Sequence, residues 1–311
     1  MLSPIGLGCW QLSKGKGIGG RFCRVLEDSE ITEIVSASLR GGVNWFDTAE
    51  SYGWGESERS LSQALLRLGK SSEDVVIATK WMPHFRTSRS IVETIDKRLE
   101  NLNGFSIDLY QIHHPRFLSS LKAEMKAMAQ LIDKRKIRYA GVSNYSAKRM
   151  RRAHLELKQL GYHLISNQVR YNLIDRKIET NGVLDTAREL AVALIAYSPL
   201  AKGLLSGKYS GYSESVPNPS FLGRRSVPSS SKKPKNLLSL LEALKDLAEQ
   251  HKVTPAQIAL NWLINFHEEV IFAIPGATNA AQAEENAAAM KFRLSKSDLA
   301  YLDSKSAVFR N

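Results

Sequence analysis

Four side chains whose types suit proton transfer follow three successive apolar segments of the sequence. Asp47 follows the apolar run 43–46, and Tyr52 lies five residues later in a Gly-rich loop. Lys80 and His113 each follow a further apolar run. Each residue alone has a structural explanation: a turn cap, a packed ring, a lysine that reaches solvent or a hydrogen-bonded core histidine. Packing explains the set poorly, because each polar group is costly to bury without a partner.

The chemistry of this set follows from the pKa values of its members. A tyrosine with a pKa of about 10 is a poor proton donor at neutral pH, and a neighbouring ammonium lowers that pKa. Lys80 would supply the ammonium, and Asp47 would keep it charged. Tyr52 would then protonate a carbonyl oxygen that His113 also hydrogen-bonds. None of the four is an evident covalent nucleophile, so a bound hydride donor is the expected partner.

Apolar runs and helical periods alternate along the chain, which predicts eight strand–helix units and a (β/α)8 TIM barrel. Residues 1–311 form a single domain in this interpretation, with a long loop over 208–235 after the seventh strand and a short C-terminal helix after Ser295. A helix is predicted over 91–102. The predicted strands are 5–7, 43–46, 75–79, 107–112, 139–142, 165–169, 192–196 and 270–274. In this fold catalytic groups lie at the C-terminal ends of strands, where the four residues fall.

Composition excludes several classes of protein. The longest apolar run has 8 residues, whereas a membrane-spanning helix needs about 20, so no membrane span is expected. The first residues lack a signal segment, which favours a cytoplasmic protein. The only cysteines, Cys9 and Cys23, give neither a disulfide framework nor a zinc motif, and no metal site is expected.

The formal net charge of +12 raises the question of nucleic acid binding. Seven cations cluster in one stretch that contains a single acid, Glu214, and this pattern suits a phosphorylated small ligand. No basic strand with interleaved aromatic residues supports a polymer, so no nucleic acid partner is expected. The clustered cations are Lys202, Lys208, Arg224, Arg225, Lys232, Lys233 and Lys235.

Five short motifs together resemble the signatures of the aldo-keto reductase superfamily. They are DTAESYG at 47–53, ATK at 78–80, DLYQIH at 108–113, GVSN at 141–144 and YSPL at 197–200. The similarity runs from Gly6 to about Leu302. It implies a (β/α)8 barrel that binds NADP(H) and passes a hydride from C4 of the nicotinamide to an aldehyde or ketone. It also implies a catalytic tetrad, which corresponds to Asp47, Tyr52, Lys80 and His113.

The same resemblance implies which residues surround the cofactor. Ser143, Asn144 and Gln168 would hold the carboxamide, and Tyr197 would stack on the nicotinamide. Residues after strand seven would meet the pyrophosphate, and residues after strand eight the adenosine phosphate. The full set is Trp10, Asp47, Ser143, Asn144, Gln168, Tyr197, Ser198, Pro199, Leu200, Gly203, Lys208, Arg224, Ile274, Gly276, Thr278, Gln282, Glu285 and Asn286.

The segment after strand eight departs from many members of the superfamily. Gly276, Thr278 and Gln282 stand where those members place a basic residue for the 2′-phosphate. The pattern is closer to bacterial reductases and the β subunits of voltage-gated potassium channels. A 2′-phosphate would then depend on Lys208 or Arg224 and its neighbour. NADPH is the expected cofactor, and NADH stays open.

Aromatic residues after strands one to three predict an apolar funnel over the tetrad, which favours aromatic or medium-chain carbonyl substrates over sugars. They are Trp10, Trp54, Trp81 and Phe85, with His113 at the base. The run GKGIGG at 15–20 has the spacing of a dinucleotide fingerprint but does not open a helix after a strand, so it is interpreted as a rim loop. Two alternatives remain: a slow NADP(H)-binding redox sensor, and an aldolase or isomerase with Lys80 as a Schiff base. The sequence does not indicate the oligomeric state.

Overall fold

The structure of the chain is a computed structural model that describes residues 1–17, 24–115, 118–207 and 234–310. The loop predicted over 208–235 lies outside the described residues, apart from its last two positions, which begin a helix. Lys208 and Arg224, the expected charge partners of the cofactor, also lie outside them. The GKGIGG run is described only up to residue 17.

Eight parallel strands form one sheet in chain order, each paired with the next. The first and last strands meet through parallel bridges that join Ile5 to Ala273 and Gly8 to Gly276, so the sheet closes on itself. This arrangement confirms the predicted (β/α)8 barrel. The strands are β1 Leu7–Gly8, β2 Trp45–Asp47, β3 Val76–Trp81, β4 Leu109–Ile112, β5 Tyr139–Ser143, β6 Leu164–Arg170, β7 Ala193–Tyr197 and β8 Ile271–Ala273.

Helices follow the strands and cover the outside of the barrel. They are α1 Asp28–Arg40, α2 Glu56–Arg67, α3 Arg89–Glu93, α4 Ile95–Asn101, α5 Leu121–Asp133, α6 Ala147–Lys158, α7 Val183–Glu189, α8 Pro234–His251, α9 Pro255–Asn265, α10 Ala280–Ala288 and α11 Lys296–Ser306. The last of these is the predicted C-terminal helix. Among the helices of the described residues, none is long and apolar enough to cross a membrane.

Local sequence explains how a helix delivers the chain to the next strand. Helix α1 buries Ile31, Ile34 and Val35 on one face, at the spacing of an amphipathic helix. It ends where Gly42 takes a positive φ of 91° and the Val43 amide donates to the Ser38 carbonyl at 3.0 Å. That Schellman-type ending needs glycine and turns the chain directly into β2.

The helix predicted over 91–102 is two helices, α3 and α4. They meet at Thr94, whose hydroxyl donates to the Ser90 carbonyl at 2.7 Å. Such bonds from a side chain to the preceding turn compete with the helical pattern and bend the helix. Arg86 donates to the same Thr94 hydroxyl at 2.7 Å, which holds the break in place.

Two apolar clusters hold the barrel together. The large one lies between the sheet and the helices. The small one fills the interior of the barrel and contains Trp45, Ala78, Leu109, Ile195 and Ile274. Because successive side chains on a strand face opposite sides, Ala78 and Lys80 point into the barrel. The interior apolar cluster is therefore followed, at the C-terminal end of β3, by polar groups.

Candidate active site

Lys80 lies at the centre of the site and is fully buried. Its Nζ donates to Asp47 Oδ1 at 2.5 Å and to the Thr48 carbonyl at 2.8 Å, and lies 3.4 Å from the Tyr52 hydroxyl. Strand β3 supplies Lys80, whereas β2 and the loop after it supply the other three groups. The parallel pairing of Asp47 with Ala78 sets this register. The ammonium thus contacts both the carboxylate and the phenol.

The second oxygen of Asp47 is held by two amides. Gln168 Nε2 donates to Asp47 Oδ2 at 2.8 Å, and Gln111 Nε2 lies 3.2 Å from the same oxygen. The carboxylate therefore has one ammonium and two amide donors although it is 1% exposed. These donors satisfy the buried carboxylate, and the contact with Asp47 raises the pKa of Lys80 and so favours the ammonium form.

The ring of His113 lies beside the ring of Tyr52, with centroids 5.7 Å apart and planes at 78°. Its Nδ1 is 3.3 Å from Ser51 Oγ, and its Nε2 makes no hydrogen bond within the described part of the chain. Nε2 is thus the ring nitrogen left to contact a ligand. The four side chains expected to form a tetrad therefore lie together at the C-terminal ends of β2, β3 and β4.

Burial raises the pKa of Tyr52, although the Lys80 ammonium opposes that rise. The expectation that Lys80 would bring this pKa below its ordinary value is therefore wrong for the chain alone, because desolvation of the phenolate outweighs the ion contact. Burial also lowers the pKa of Lys80, but Asp47 and then Tyr52 outweigh burial and raise it overall. At neutral pH the phenol is protonated and the amine is charged.

Burial, with the nearby charges of Lys80 and then His114, holds the pKa of His113 well below its ordinary value. His113 is therefore a neutral imidazole at pH 7. A neutral ring with Nδ1 facing Ser51 can donate from Nε2 to a carbonyl oxygen without transferring its proton. The site thus contains one protonated phenol, Tyr52, and one neutral imidazole, His113.

Polar side chains from the ends of β5 and β7 meet beside the tetrad. Asn144 Nδ2 donates to the His113 carbonyl at 3.3 Å and to Ser143 Oγ at 3.0 Å. The Tyr197 hydroxyl donates to Asn144 Oδ1 at 3.0 Å. Asn144 has a positive φ of 61°, a conformation that non-glycine residues adopt at a cost and that is common at functional sites.

Gln168 lies in this cluster, but its side-chain amide is engaged with Asp47. Two other buried amide oxygens, Gln11 Oε1 and Gln111 Oε1, accept no hydrogen bond within the described residues. Buried polar atoms of this kind need a donor. The hydroxyl and amide groups of a nucleotide are suitable donors, so the residues present fit the implied cofactor.

The segment after β7 turns sharply. Ser198, Ala201, Lys202 and Gly203 all have positive φ, with Gly203 at 91°. A Cβ at Gly203 would meet no atom closer than 3.8 Å, so the glycine is needed for its backbone conformation and not for space. Ser198, Leu200 and Gly203 are partly exposed, whereas Pro199 is buried.

The segment after β8 brings its predicted residues together. The Thr278 amide and hydroxyl lie 2.9 and 3.0 Å from Gln282 Oε1, and Asn286 Nδ2 donates to the Gly276 carbonyl at 3.2 Å. Glu285 is partly exposed on the same helix, α10. Ile274 does not belong to this group, because its side chain packs inside the barrel with Trp45 and Ile195.

Of the predicted rim aromatics, Trp10 is partly buried in the turn after β1, and Trp54 and Phe85 are 69% and 86% exposed. Trp81 is not at the rim. Its side chain is fully buried among the helices, and its Nε1 donates to Ser90 Oγ at 3.1 Å. Lys80 points into the barrel, so the next residue on β3 must point outward.

Three polar residues near the site were not predicted. Gln111 contacts Asp47, His114 stacks on His113 with centroids 4.7 Å apart, and the Arg170 guanidinium lies 5.8 Å from the Tyr197 ring centre. Gln111 lies on β4, two residues before His113, which directly follows that strand, and Arg170 lies two residues after Gln168 on β6. The alternation of strand faces would have placed both toward the site.

Comparison with known proteins gives one consistent result. A model of the aldo/keto reductase family matches residues 4–307. An uncharacterised oxidoreductase of Mycobacterium tuberculosis is 37% identical over 316 residues, which cover 99% of this chain and 91% of that protein.

Comparison with solved structures leads to the same family. The thermostable aldo-keto reductase Tm1743, in complex with the inhibitor epalrestat, has a TM-score of 0.77 at 27% identity and covers 98% of this chain and 95% of its own. An aldo/keto reductase of Klebsiella pneumoniae in complex with NADP and acetate has a TM-score of 0.75 at 25% identity, with coverages of 99% and 92%. The chain therefore belongs to the aldo/keto reductase family and is an NAD(P)H-dependent reductase, as its motifs implied.

Proposed function

We propose that the chain reduces an aldehyde or ketone to an alcohol with NADPH, and that Tyr52 donates the proton. The contact of Lys80 Nζ with both Asp47 and Tyr52 is the observation that carries this proposal. Among the four tetrad groups, only Tyr52 combines a proton that it retains at neutral pH with a neighbouring cation that stabilises its conjugate base.

Each tetrad residue has a distinct part in the proposed reaction. His113 Nε2 donates a hydrogen bond to the carbonyl oxygen and fixes its position beside the Tyr52 hydroxyl. When Tyr52 gives up its proton, negative charge develops on the phenol oxygen, 3.4 Å from the Lys80 ammonium. Asp47 holds that ammonium in place and keeps it charged. This arrangement stabilises the transition state more than the ground state, because the phenolate forms only during the reaction.

NADPH would lie across the C-terminal ends of the strands and supply the hydride from its nicotinamide. Ser143 and Asn144 would bind the carboxamide, and Gln168 would join them through the same amide that now contacts Asp47. Tyr197 would cover one face of the ring, which leaves the other face for the substrate. The K. pneumoniae neighbour that holds NADP supports this choice of cofactor.

The glycine-rich turn after β7 would receive the pyrophosphate, since phosphate sites of (β/α)8 barrels lie after strands seven and eight. Leu200 and Gly203 belong to this turn. Gly276, Thr278 and Gln282 would meet the adenosine end, with Glu285 and Asn286 at the adenine edge. No basic side chain stands in that segment, so the preference for NADPH over NADH would depend on Lys208 or Arg224.

The substrate is expected to carry an aromatic or medium-length apolar group. Trp54 and Phe85 follow β2 and β3 and expose most of their side chains at the tetrad side of the barrel. Both hold positive φ values, 57° and 53°, which are costly for aromatic residues and keep the rings on the surface. Exposed rings on the side of the barrel that carries the tetrad favour apolar substrates over sugars.

Steady-state oxidation of NADPH tests the proposal. Purified enzyme is assayed with benzaldehyde, a medium-chain aldehyde and an aldose, and kcat/KM is compared. We expect turnover with a preference for benzaldehyde over the aldose. Tight NADPH binding without turnover on any carbonyl would instead favour the redox sensor, and trapping of a substrate on Lys80 by borohydride would favour the Schiff-base enzyme.

A further inference from the structure

A buried ion network lies on the outer side of β3, behind the tetrad. Arg98 joins two carboxylates: its Nη1 donates to Glu50 Oε2 at 2.8 Å, and its Nε lies 3.2 Å from Glu58 Oε2. The three side chains are 8%, 9% and 0% exposed, respectively. Arg86 completes the network and donates from Nη1 to Glu50 Oε1 at 2.6 Å.

The two carboxylates hold the backbone of β3 on both sides of Lys80. The hydroxyl of Thr79, the residue before Lys80, donates to Glu58 Oε1 at 2.7 Å. The amide of Met82, two residues after it, donates to Glu50 Oε1. The amide of Glu50 itself lies 3.3 Å from the Lys80 carbonyl. Strand β3 and the residue that follows it are thus held at three positions, 79, 80 and 82, around Lys80.

Glu50 also belongs to the loop that carries Tyr52. It lies three residues after Asp47 and two before Tyr52. The network therefore connects β3, which carries Lys80, to the loop after β2, which carries Tyr52. The distance between Lys80 Nζ and the Tyr52 hydroxyl, 3.4 Å, is already at the long end for a hydrogen bond. A small displacement of the loop relative to the strand would break this contact.

Stability alone is a weak explanation for such a network. Buried ion pairs can often be replaced by apolar side chains of similar volume with no loss of stability, because removing the charges from water costs as much as their attraction returns. Arg98 Nε makes no hydrogen bond of good geometry within the described residues, so the network is not fully satisfied. What the network provides is a fixed position of β3 relative to the loop that carries Tyr52.

We propose that Glu50 is a positioning residue for the reduction, and that Glu50, Arg98 and Glu58 together hold Lys80 at contact distance from Tyr52. The inference rests on the proposed function, since its importance depends on Tyr52 as the proton donor. None of the three residues touches the reacting atoms. Their effect is transmitted through β3 and through the loop between Asp47 and Tyr52.

Glu50→Gln tests the proposal, and Glu179→Gln is the matched control. Glu179 is also a buried carboxylate shared by two arginines, with Arg176 Nη2 at 2.7 Å and Arg310 Nε at 2.9 Å. Within the described part of the chain, Glu179 makes no hydrogen bond or ion pair with β2 or β3; its side-chain partners are Tyr171, Arg176, His267 and Arg310. We expect both variants to lose thermal stability. Only Glu50→Gln should lower kcat, by about 10- to 100-fold, with the Kd for NADPH within about threefold of wild type.

The pH profile of kcat separates positioning from a loss of folded enzyme. Lys80 favours the phenolate form of Tyr52, so a looser contact should move the basic limb of the profile to higher pH in Glu50→Gln. The basic limb of Glu179→Gln should stay where it is in the wild type. Equal kcat values in the two variants, or an unmoved basic limb in Glu50→Gln, would overturn the proposal. If Glu50→Gln does not fold, Arg98→Lys keeps the charge, removes the forked contact and is judged by the same two criteria.

A measurement without turnover distinguishes failure of this inference from failure of the proposed function. If the wild-type enzyme oxidises no NADPH with any carbonyl, the proposed function fails by itself. The ring-¹³C signal of Tyr52, assigned with Tyr52→Phe, then reports the contact with Lys80 directly. We expect this signal to shift in Glu50→Gln and to stay fixed in Glu179→Gln. An unshifted signal in Glu50→Gln would refute the positioning role.

Discussion

Replacement of Lys80 by methionine tests the physical basis of the site most fully. At 3.4 Å, an ammonium and a phenolate attract each other by about 5 kcal/mol at an effective dielectric constant of about 20. Only part of that energy is realised in the transition state, where the proton is partly transferred. We therefore expect Lys80→Met to lower kcat by about 10²- to 10⁴-fold, which corresponds to about 3–5 kcal/mol.

The same substitution should also destabilise the fold. Lys80 and Asp47 are 0% and 1% exposed, and removal of the ammonium leaves a buried carboxylate with only the amides of Gln111 and Gln168. Breaking such a pair costs about 3–5 kcal/mol. Urea unfolding should show this loss, and the double variant Asp47→Asn, Lys80→Met should recover much of it while remaining inactive.

The assay compares kcat for benzaldehyde and the Kd for NADPH from fluorescence titration at 25 °C. Lys97→Met is the control, because Lys97 is exposed and, among the described residues, pairs only with Glu100 on the surface. It should match the wild type in both kcat and stability. A Lys80→Met enzyme with kcat within threefold of wild type would refute the role of the ammonium.

Three further predictions concern other parts of the molecule. Burial lowers the pKa of His113, so the unfolded chain binds the extra proton first, and stability should fall as the pH decreases below about 6.5. Measured by urea unfolding, the free energy of unfolding of the wild type should fall by up to about 2 kcal/mol more than that of His113→Asn between pH 7 and pH 5. Equal losses in the two proteins would contradict the conclusion that His113 is a neutral imidazole in the folded chain. Trp54→Ala should lower kcat/KM for benzaldehyde about tenfold, because one exposed ring contributes about 1–2 kcal/mol of apolar contact. The kcat/KM for a two-carbon aldehyde should stay within about twofold of wild type. Equal effects on both substrates would show that Trp54 does not contact the substrate. Arg176→Met should reduce the free energy of unfolding by about 3–5 kcal/mol, since it leaves Glu179 and Asp303 without their buried cation. A change below about 1 kcal/mol in urea unfolding would show that the partly exposed Arg310 suffices.

The sequence was enough to predict the barrel and the convergence of the tetrad because both depend on strand periodicity and strand ends. Asp47, Lys80 and His113 follow separate apolar runs, and a closed parallel sheet brings their ends to one face. Trp81 was misplaced because its position in the chain was considered without the alternation of side chains along β3.

Other features depend on contacts between distant parts of the chain. The amides of Gln111 and Gln168 reach Asp47 across 64 and 121 residues of sequence, so strand alternation can predict which face they take but not that both donate to Asp47. The direction of the Tyr52 pKa depends on the balance between burial and one cation, and a sequence gives neither burial nor distance. The break at Thr94 depends on its hydrogen bonds to Ser90 and Arg86.

The central claim is that one phenol supplies the proton. Tyr52→Phe removes the hydroxyl and keeps the ring that packs at 5.7 Å from His113. The decisive measurement is the single-turnover rate of NADPH oxidation by Tyr52→Phe with benzaldehyde, alongside its Kd for NADPH. The account predicts a rate at least about 10²-fold lower with an unchanged Kd. A rate close to that of the wild type would show that another group donates the proton.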